Sequence, residues 1–199
     1  MEINKDITLP KNNFNKIVSI KKQIVLCDTF NIDMKHTIGW LHRYNGKYKK
    51  TAPFTIDVDG VIHQHFNPKY QSEFFKDLEL NNNSIVILLE NGGWLEKNEE
   101  KNMFISWLGH IYNKKEICIR TWRGYNYWVK YTDKQMESVV TLVNELCEQF
   151  FIPKITMTHN TKSSFLENFS GVLFKSNLDK ECFDINPSFD FEYFSNNIK

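Results

Sequence analysis

The chain of 199 residues has no long apolar run and no excess of charge of one sign. No stretch reaches the roughly 18 apolar residues that a membrane-spanning helix needs, so no membrane span is predicted. The 25 Lys and Arg residues are balanced by 24 Asp and Glu residues, which gives a net charge of +1. Since a dedicated nucleic-acid-binding domain is usually strongly basic, nucleic acid is not an expected partner.

Closely spaced cysteine pairs are also missing. The four cysteines are widely separated and form no CxxC motif, so we expect free thiols in a reducing compartment. The polar segment 1–11 lacks the apolar centre of a signal peptide. These features predict a cytoplasmic protein. The abundance of Lys, Asn, Ile and Phe suggests an AT-biased gene, as in a phage or a low-GC bacterium, so a phage-infected host or a virion is a further possible location.

Aromatic residues, in contrast, are plentiful, at 15% of the chain. They predict a thick aromatic core, a stacking pocket, or both. A chain of this length is most simply one domain with a core of its own. The weakly alternating segment 1–22 is interpreted as an N-terminal arm, and residues 23–199 as the folded domain.

Short apolar runs and one long amphipathic segment indicate the secondary structure. Strands are predicted at residues 24–27, 84–90, 117–122 and 154–158, and a hairpin at 54–58 and 61–65 around Asp59-Gly60. A helix is predicted at 133–150, with Thr132 and Gln135 as its capping box. A helical stripe is also predicted within 96–115. The order predicts an α/β single domain with a central mixed β-sheet flanked by helices.

These segments resemble the type 2 N-acetylmuramoyl-L-alanine amidases, a superfamily that includes phage lysozyme-amidases and peptidoglycan recognition proteins. The similarity runs from about Gln23 to Phe194. It rests on four motifs in the family's order: the hairpin Thr51 to Gln64, the strand Ser84 to Asn91, the helix start Tyr131 to Gln135, and the segment Asp184 to Phe189.

The resemblance implies where a zinc site would lie, and the chain departs from the family there. Cys27 stands at the first ligand position and Lys175 at the second, where the family has histidines, and Asp184 fits the third. Zinc needs thiolate, imidazole or carboxylate lone pairs, which a protonated lysine does not offer. Leu88 and Cys182 replace the family's supporting Glu and Lys. We therefore expect no cofactor, with zinc retained only if the chain is an active amidase.

Other residues keep alternatives open. A shifted ligand set of Cys27, His159 and Asp184 is conceivable, and His36 lies nine residues beyond Cys27. His63 and His65 share one strand face, where a metal pair is less expected than an exposed face. The run from Arg120 to Trp128 interleaves arginines with aromatic rings, which suits stacking on planar groups and clamping of carboxylates. Its alternative role is packing against the core.

The predicted function is ligand binding without catalysis. The predicted groove residues are Cys27, Lys175, Asp184, Arg120, Trp122, Arg123 and Tyr125, and the ligand would be a muropeptide or another small molecule. Two alternatives stay open. One is an active N-acetylmuramoyl-L-alanine amidase, and the other is a phage structural protein or a protein that sequesters a host molecule.

Overall fold

A computed structural model describes residues 2–33, 39, 50–159, 161 and 166–199. Within these ranges the strands are β1 (Ile3–Asn4), β2 (Gln23–Asp28), β3 (Phe54–Ile56), β4 (Ile62–Gln64), β5 (Ser84–Leu89), β6 (Trp94–Asn98), β7 (Met103–Ser106), β8 (Ile111–Tyr112), β9 (Ile117–Trp122), β10 (Tyr125–Val129) and β11 (Gly171–Phe174). The helices are α1 (Leu78–Asn83), α2 (Asp133–Phe150), α3 (Lys175–Leu178) and α4 (Phe191–Asn197). None of the described helices is long and apolar enough to cross a membrane.

The central sheet is mixed, as the sequence predicts. Its strand order is β1-β4-β3-β5-β2-β11. β2 lies parallel to both β5 and β11, and β3 is parallel to β5 and antiparallel to β4. Every residue of β2 and β5 is buried, because both faces of these central strands are covered. The segment predicted as an arm contributes β1, which pairs with β4.

Two apolar clusters lie on opposite faces of the central sheet. Ile24 and Leu26 of β2 pack on the face covered by α2. Val25 and Cys27, which point the other way because side chains alternate along a strand, join a second cluster with Phe74. The predicted capping box of α2 is confirmed: the Thr132 hydroxyl accepts from the Gln135 amide, and the Gln135 side chain accepts from the Thr132 amide, each at 3.1 Å.

A second, wholly antiparallel sheet lies between β5 and α2 in the chain, in the order β8-β7-β6-β10-β9. The helical stripe predicted within 96–115 is wrong, since that segment forms β6, β7 and β8. Burial in β7 alternates from one residue to the next, which is the strand period. Turns with Asn102 at φ 49° and Gly109 at φ 83° break any helix there.

Three smaller predictions also need correction. The hairpin strands are shorter than expected, and the turn runs from Asp57 to Val61, because the Asp57 carboxylate accepts from the Asp59 and Val61 amides. The predicted strand 154–158 makes one isolated bridge, from Thr156 to Val172. His63 and His65 do not lie on an exposed face, since both are buried.

Candidate functional site: a lysine–aspartate pair at the sheet edge

The topology brings the first two predicted site residues together. Cys27 is near the carboxyl end of β2, and Lys175 directly follows β11 as the first residue of α3. These strands are parallel neighbours, with Phe174 in register with Leu26. Their carboxyl ends therefore meet at one edge of the sheet. Asp184 reaches the same edge from the loop that precedes α4.

Lys175 and Asp184 form an ion pair at this edge. Lys175 Nζ lies 3.1 Å from both Asp184 carboxylate oxygens. The Asp184 side chain is fully buried, and the Lys175 side chain is 20% exposed. The Asp28 backbone amide donates a third hydrogen bond to Asp184 Oδ2, at 3.2 Å. Both oxygens of the carboxylate are thus engaged by donors within the protein. We call Cys27, Lys175 and Asp184 the paired-charge centre.

Protonation in the paired-charge centre follows from burial and charge. Burial lowers the pKa of Lys175, but the Asp184 carboxylate outweighs it, so the pKa of Lys175 is raised above its ordinary value. Burial, together with the negative charge of Asp184, raises the pKa of the Cys27 thiol well above its ordinary value. The raised pKa values favour an ammonium on Lys175 and a neutral thiol on Cys27 at neutral pH.

A zinc ion does not fit these residues. Lys175 presents an ammonium without a lone pair at the second position, and the lone pairs of Asp184 already accept from Lys175 and Asp28. Among the described residues, no group of three or more His, Cys, Asp and Glu side chains is arranged to hold a metal ion. Leu88, in register with Cys27 on β5, offers an apolar side chain at the neighbouring position.

Cys182 and His159 do not complete a metal site either. The Cys182 thiol donates to the Asp179 and Asp184 carbonyls at 3.1 and 3.4 Å, and burial raises its pKa to about 12. His159 Nε2 lies 3.1 Å from the Ile185 carbonyl oxygen, and its ring stacks on Phe191. The shifted set with His159 is therefore not formed. His36 lies outside the described residues.

His63 and His65, considered above as a possible metal pair, instead make contacts that hold the hairpin. His63 Nε2 is 3.0 Å from Asp57 Oδ2, and His65 Nε2 is 2.9 Å from Thr55 Oγ1. His65 Nδ1 also contacts the Ile7 carbonyl at 2.9 Å. These contacts fix the turn of the hairpin and hold the N-terminal segment against it. Both imidazoles therefore have structural partners within the fold.

A second buried carboxylate, Asp28, was not singled out from the sequence. Tyr131 donates its hydroxyl to Asp28 Oδ1 at 2.5 Å, and Asn186 Nδ2 approaches Oδ2 at 3.5 Å. Burial, and then the nearby Asp184 charge, raise the pKa of Asp28 well above its ordinary value. Asn186 also donates to Asn91 Oδ1 at 3.0 Å. Tyr131, the first residue of the helix-start motif Tyr131 to Gln135, was the available signal, since buried phenols usually find a partner.

The aromatic hairpin, defined as β9 and β10 with their turn at Arg123-Gly124, packs beside the loop that carries Asp184. Arg120 Nη1 donates to the Pro187 carbonyl at 3.2 Å. Trp122 contacts His159, with ring centroids 4.9 Å apart, and the Arg123 guanidinium lies 4.6 Å from the Trp122 ring centre. The Tyr125 ring meets Phe183 edge-on at 5.5 Å. Arg120 and Tyr125 therefore contact the 183–187 loop directly, whereas Trp122 meets it through His159, which bonds to the Ile185 carbonyl.

The chain matches the family model described as N-acetylmuramoyl-L-alanine amidase over residues 18–168, which is most of its length. The chain belongs to this amidase family. The match includes Cys27 and ends before Lys175 and Asp184. A search of curated protein sequences found no match.

Solved structures with the same fold are amidases and endolysins. The amidase LysC from Clostridium intestinale is 16% identical with a TM-score of 0.55, and the alignment covers 100% of this chain and 95% of that one. The Staphylococcus aureus hydrolase AmiA, solved with its ligand, is 12% identical with a TM-score of 0.59, covering 100% and 82%. Escherichia coli AmiD, solved with an anhydro-N-acetylmuramic acid peptide substrate, is 12% identical with a TM-score of 0.59, covering 97% and 66%. Such identities establish a shared fold.

Proposed function

We propose that the protein is a non-catalytic member of the amidase family that binds a muropeptide beside the paired-charge centre. The observation that carries the proposal is the position of Lys175 Nζ, 3.1 Å from both oxygens of the fully buried Asp184 carboxylate. In this reading the ammonium provides the positive charge that a metal would otherwise provide. A zinc hydrolase needs three protein ligands and an open position for water, and these residues do not supply them.

The proposed class of ligand rests on the family of the chain and on the ligands bound in solved structures with the same fold. AmiD was solved with a muramic acid tripeptide substrate, and AmiA with its ligand. The present chain shares that fold over nearly its whole length. A muropeptide combines a sugar with a peptide that carries carboxylates, so its binding needs both stacking surfaces and positive charge.

The aromatic hairpin offers both kinds of contact. Arg123 lies over Trp122, and its buried Nη1 has no hydrogen-bond partner among the described residues. Arg120, in contrast, already donates to the Pro187 carbonyl. Because an arginine fork can grip a carboxylate with two hydrogen bonds, Arg123 is the group that we assign to a peptide carboxylate of the ligand.

The test is calorimetric titration with N-acetylmuramoyl-tripeptide, with product analysis by mass spectrometry on the same samples. We expect saturable binding without release of the tripeptide. Arg123→Ala should weaken binding about tenfold or more, since a charge-assisted contact is lost. Lys114→Ala, which removes an exposed positive charge from the turn before β9, is the matched control and should bind as the parent does. Absence of binding by the parent protein overturns the proposal.

The second candidate is an active amidase, favoured by the family match over residues 18–168. It predicts cleavage of the muramoyl–alanine amide bond and loss of that cleavage on chelation. Cleavage that persists through chelation and gel filtration would also reject the non-catalytic proposal. The double variant Cys27→His with Lys175→His places histidines at the first two ligand positions of the family and tests whether the site can still bind zinc. Zinc binding by this double variant would show that the edge of the sheet still has the shape of a metal site.

A further inference from the structure

Part of one face of the second sheet is open, at β6 and β7. Along β6, Trp94, Glu96 and Asn98 point to the open face, because side chains alternate, while Leu95 is buried on the other. Ile105 is in register with Glu96 and therefore lies on the same face. These side chains and Trp107 line a shallow cavity of about 490 Å³, together with Lys97 and Ser106. We call Trp94, Glu96, Asn98, Ile105 and Trp107 the tryptophan platform.

The two indole rings of the platform are held in place, and Trp107 is the more accessible of the two. Trp107 is 53% exposed, yet its Nε1 donates to the Phe30 carbonyl at 2.9 Å. Trp94 is partly buried and is stacked on Tyr125, with ring centroids 4.3 Å apart and planes 17° from parallel. Held rings lose little conformational freedom when a ligand covers them, which favours binding.

We propose that the tryptophan platform binds a neutral saccharide chain. A sugar ring presents an apolar C–H face that stacks on an indole and a rim of hydroxyls that need polar partners. The platform supplies both, because Glu96 and Asn98 flank the indole rings and can accept hydroxyl protons. The lining also carries one acidic and one basic side chain, Glu96 and Lys97. This balance suits an uncharged ligand better than a polyanion, which would need an excess of positive charge.

An aromatic path connects the platform to the paired-charge centre. Trp94 stacks on Tyr125, and Tyr125 meets Phe183 at 5.5 Å. Phe183 immediately precedes Asp184 in the chain. A saccharide chain on the platform would therefore extend toward the place where the peptide-bearing sugar is proposed to bind. The saccharide class follows from the platform itself, whereas its identity as an amino-sugar polymer rests on the proposed function.

The test uses chitotetraose, a defined neutral amino-sugar chain, in titrations followed by tryptophan fluorescence and calorimetry. The parent protein should bind chitotetraose, and Trp107→Ala should weaken that binding about tenfold. Glu96→Ala, an exposed change that spares the rings, should weaken it less. Ile119→Ala is the control, because Ile119 is 67% exposed on the opposite face of the same sheet. Its affinity should equal that of the parent.

Several results would overturn the inference. They are no binding by the parent protein, equal affinity of parent and Trp107→Ala, or a self-association of the parent that Trp107→Ala abolishes while glycan has no effect. The outcome is separable from that of the proposed function, which uses a probe with one sugar. Binding of chitotetraose without binding of N-acetylmuramoyl-tripeptide would support the platform and reject the proposed function. Binding of N-acetylmuramoyl-tripeptide without binding of chitotetraose would support the proposed function and reject the platform as a saccharide site.

Discussion

Two carboxylates lie at the same edge of the central sheet and are neutralised in different ways. Asp184 is paired with the Lys175 ammonium at 3.1 Å, so its charge is compensated by charge. Asp28 has the Tyr131 hydroxyl and the Asn186 amide, which are neutral donors, and its pKa is raised well above its ordinary value by burial and by Asp184. The comparison teaches that this edge pairs one carboxylate with a cation, whereas burial and the nearby charge of Asp184 favour the protonated form of the second acid.

The largest effect is expected when a mutation introduces a third carboxylate into the core with neither a cation nor a hydrogen-bond donor beside it. Val143 is fully buried on the core face of α2, so Val143→Asp should lower the free energy of unfolding by about 4 kcal/mol or prevent folding. Thr141→Asp, on the exposed side of the same helix, is the matched control and should cost less than about 1 kcal/mol. Urea unfolding measures both. A Val143→Asp protein as stable as the parent would mean that the buried face of α2 is misassigned.

Removing the cation of the paired-charge centre comes next. Lys175→Ala leaves Asp184 buried without its ammonium and should cost about 3 kcal/mol in urea unfolding. Adding Asp184→Asn should recover part of this loss, because no lone carboxylate remains. Strict additivity in that double-mutant cycle would refute the pair. Lys97→Ala, which breaks the exposed pair with Glu99, is the control and should unfold at nearly the same urea concentration as the parent.

Removing a neutral donor from the other carboxylate should cost less. Tyr131→Phe keeps the ring and deletes the hydroxyl that donates to Asp28 Oδ1 at 2.5 Å, so we expect a loss of about 2 kcal/mol. Adding Asp28→Asn to Tyr131→Phe tests the coupling by a second cycle. If Tyr131→Phe costs as much as Lys175→Ala, the contrast between charged and neutral compensation is lost.

The smallest effect concerns Glu90, just beyond β5, whose pKa is raised from 4.5 to about 7, first by burial. Since the folded state holds this proton more tightly, the stabilisation is complete below about pH 4.5 and is lost as the pH rises through 7. Glu90→Gln should therefore flatten the pH dependence of unfolding between these values and gain about 1 kcal/mol over the parent at pH 8. An unchanged pH profile would contradict the raised pKa.

Sequence reasoning identified the elements with strong local patterns. The apolar runs of β2 and β5 and the capped apolar stripe of α2 were sufficient to predict these three elements. Both the unbroken apolar run of a strand buried on two faces and the helical periodicity are local properties of the sequence. Within the second sheet, β9 matches the predicted strand 117–122, whereas β6, β7 and β8 were missed because Phe104, Trp107, Leu108 and Ile111 also fit a helical spacing. The deciding features there are turns at Asn102 and Gly109, whose backbone conformations the spacing of apolar residues does not reveal.

The candidate site likewise contains residues that sequence reasoning identified and residues that it missed. The resemblance pointed to Cys27, Lys175 and Asp184, and the parallel pairing of β2 with β11 explains why distant segments meet. The role of Asp28 depends on Tyr131, which lies 103 positions along the chain, and on Asn186, which lies 158 positions away. Contacts between residues so far apart in the sequence leave no local sequence pattern, so they were identified only from the structure.

The most direct measurement of the central claim is the zinc content of the purified protein together with its melting temperature before and after chelation. If Lys175 takes the place of a metal at Asp184, the protein is expected to carry far less than about one zinc per chain and to melt at the same temperature after chelation. About one zinc per chain, whose removal lowers the melting temperature and abolishes muropeptide cleavage, would contradict the account.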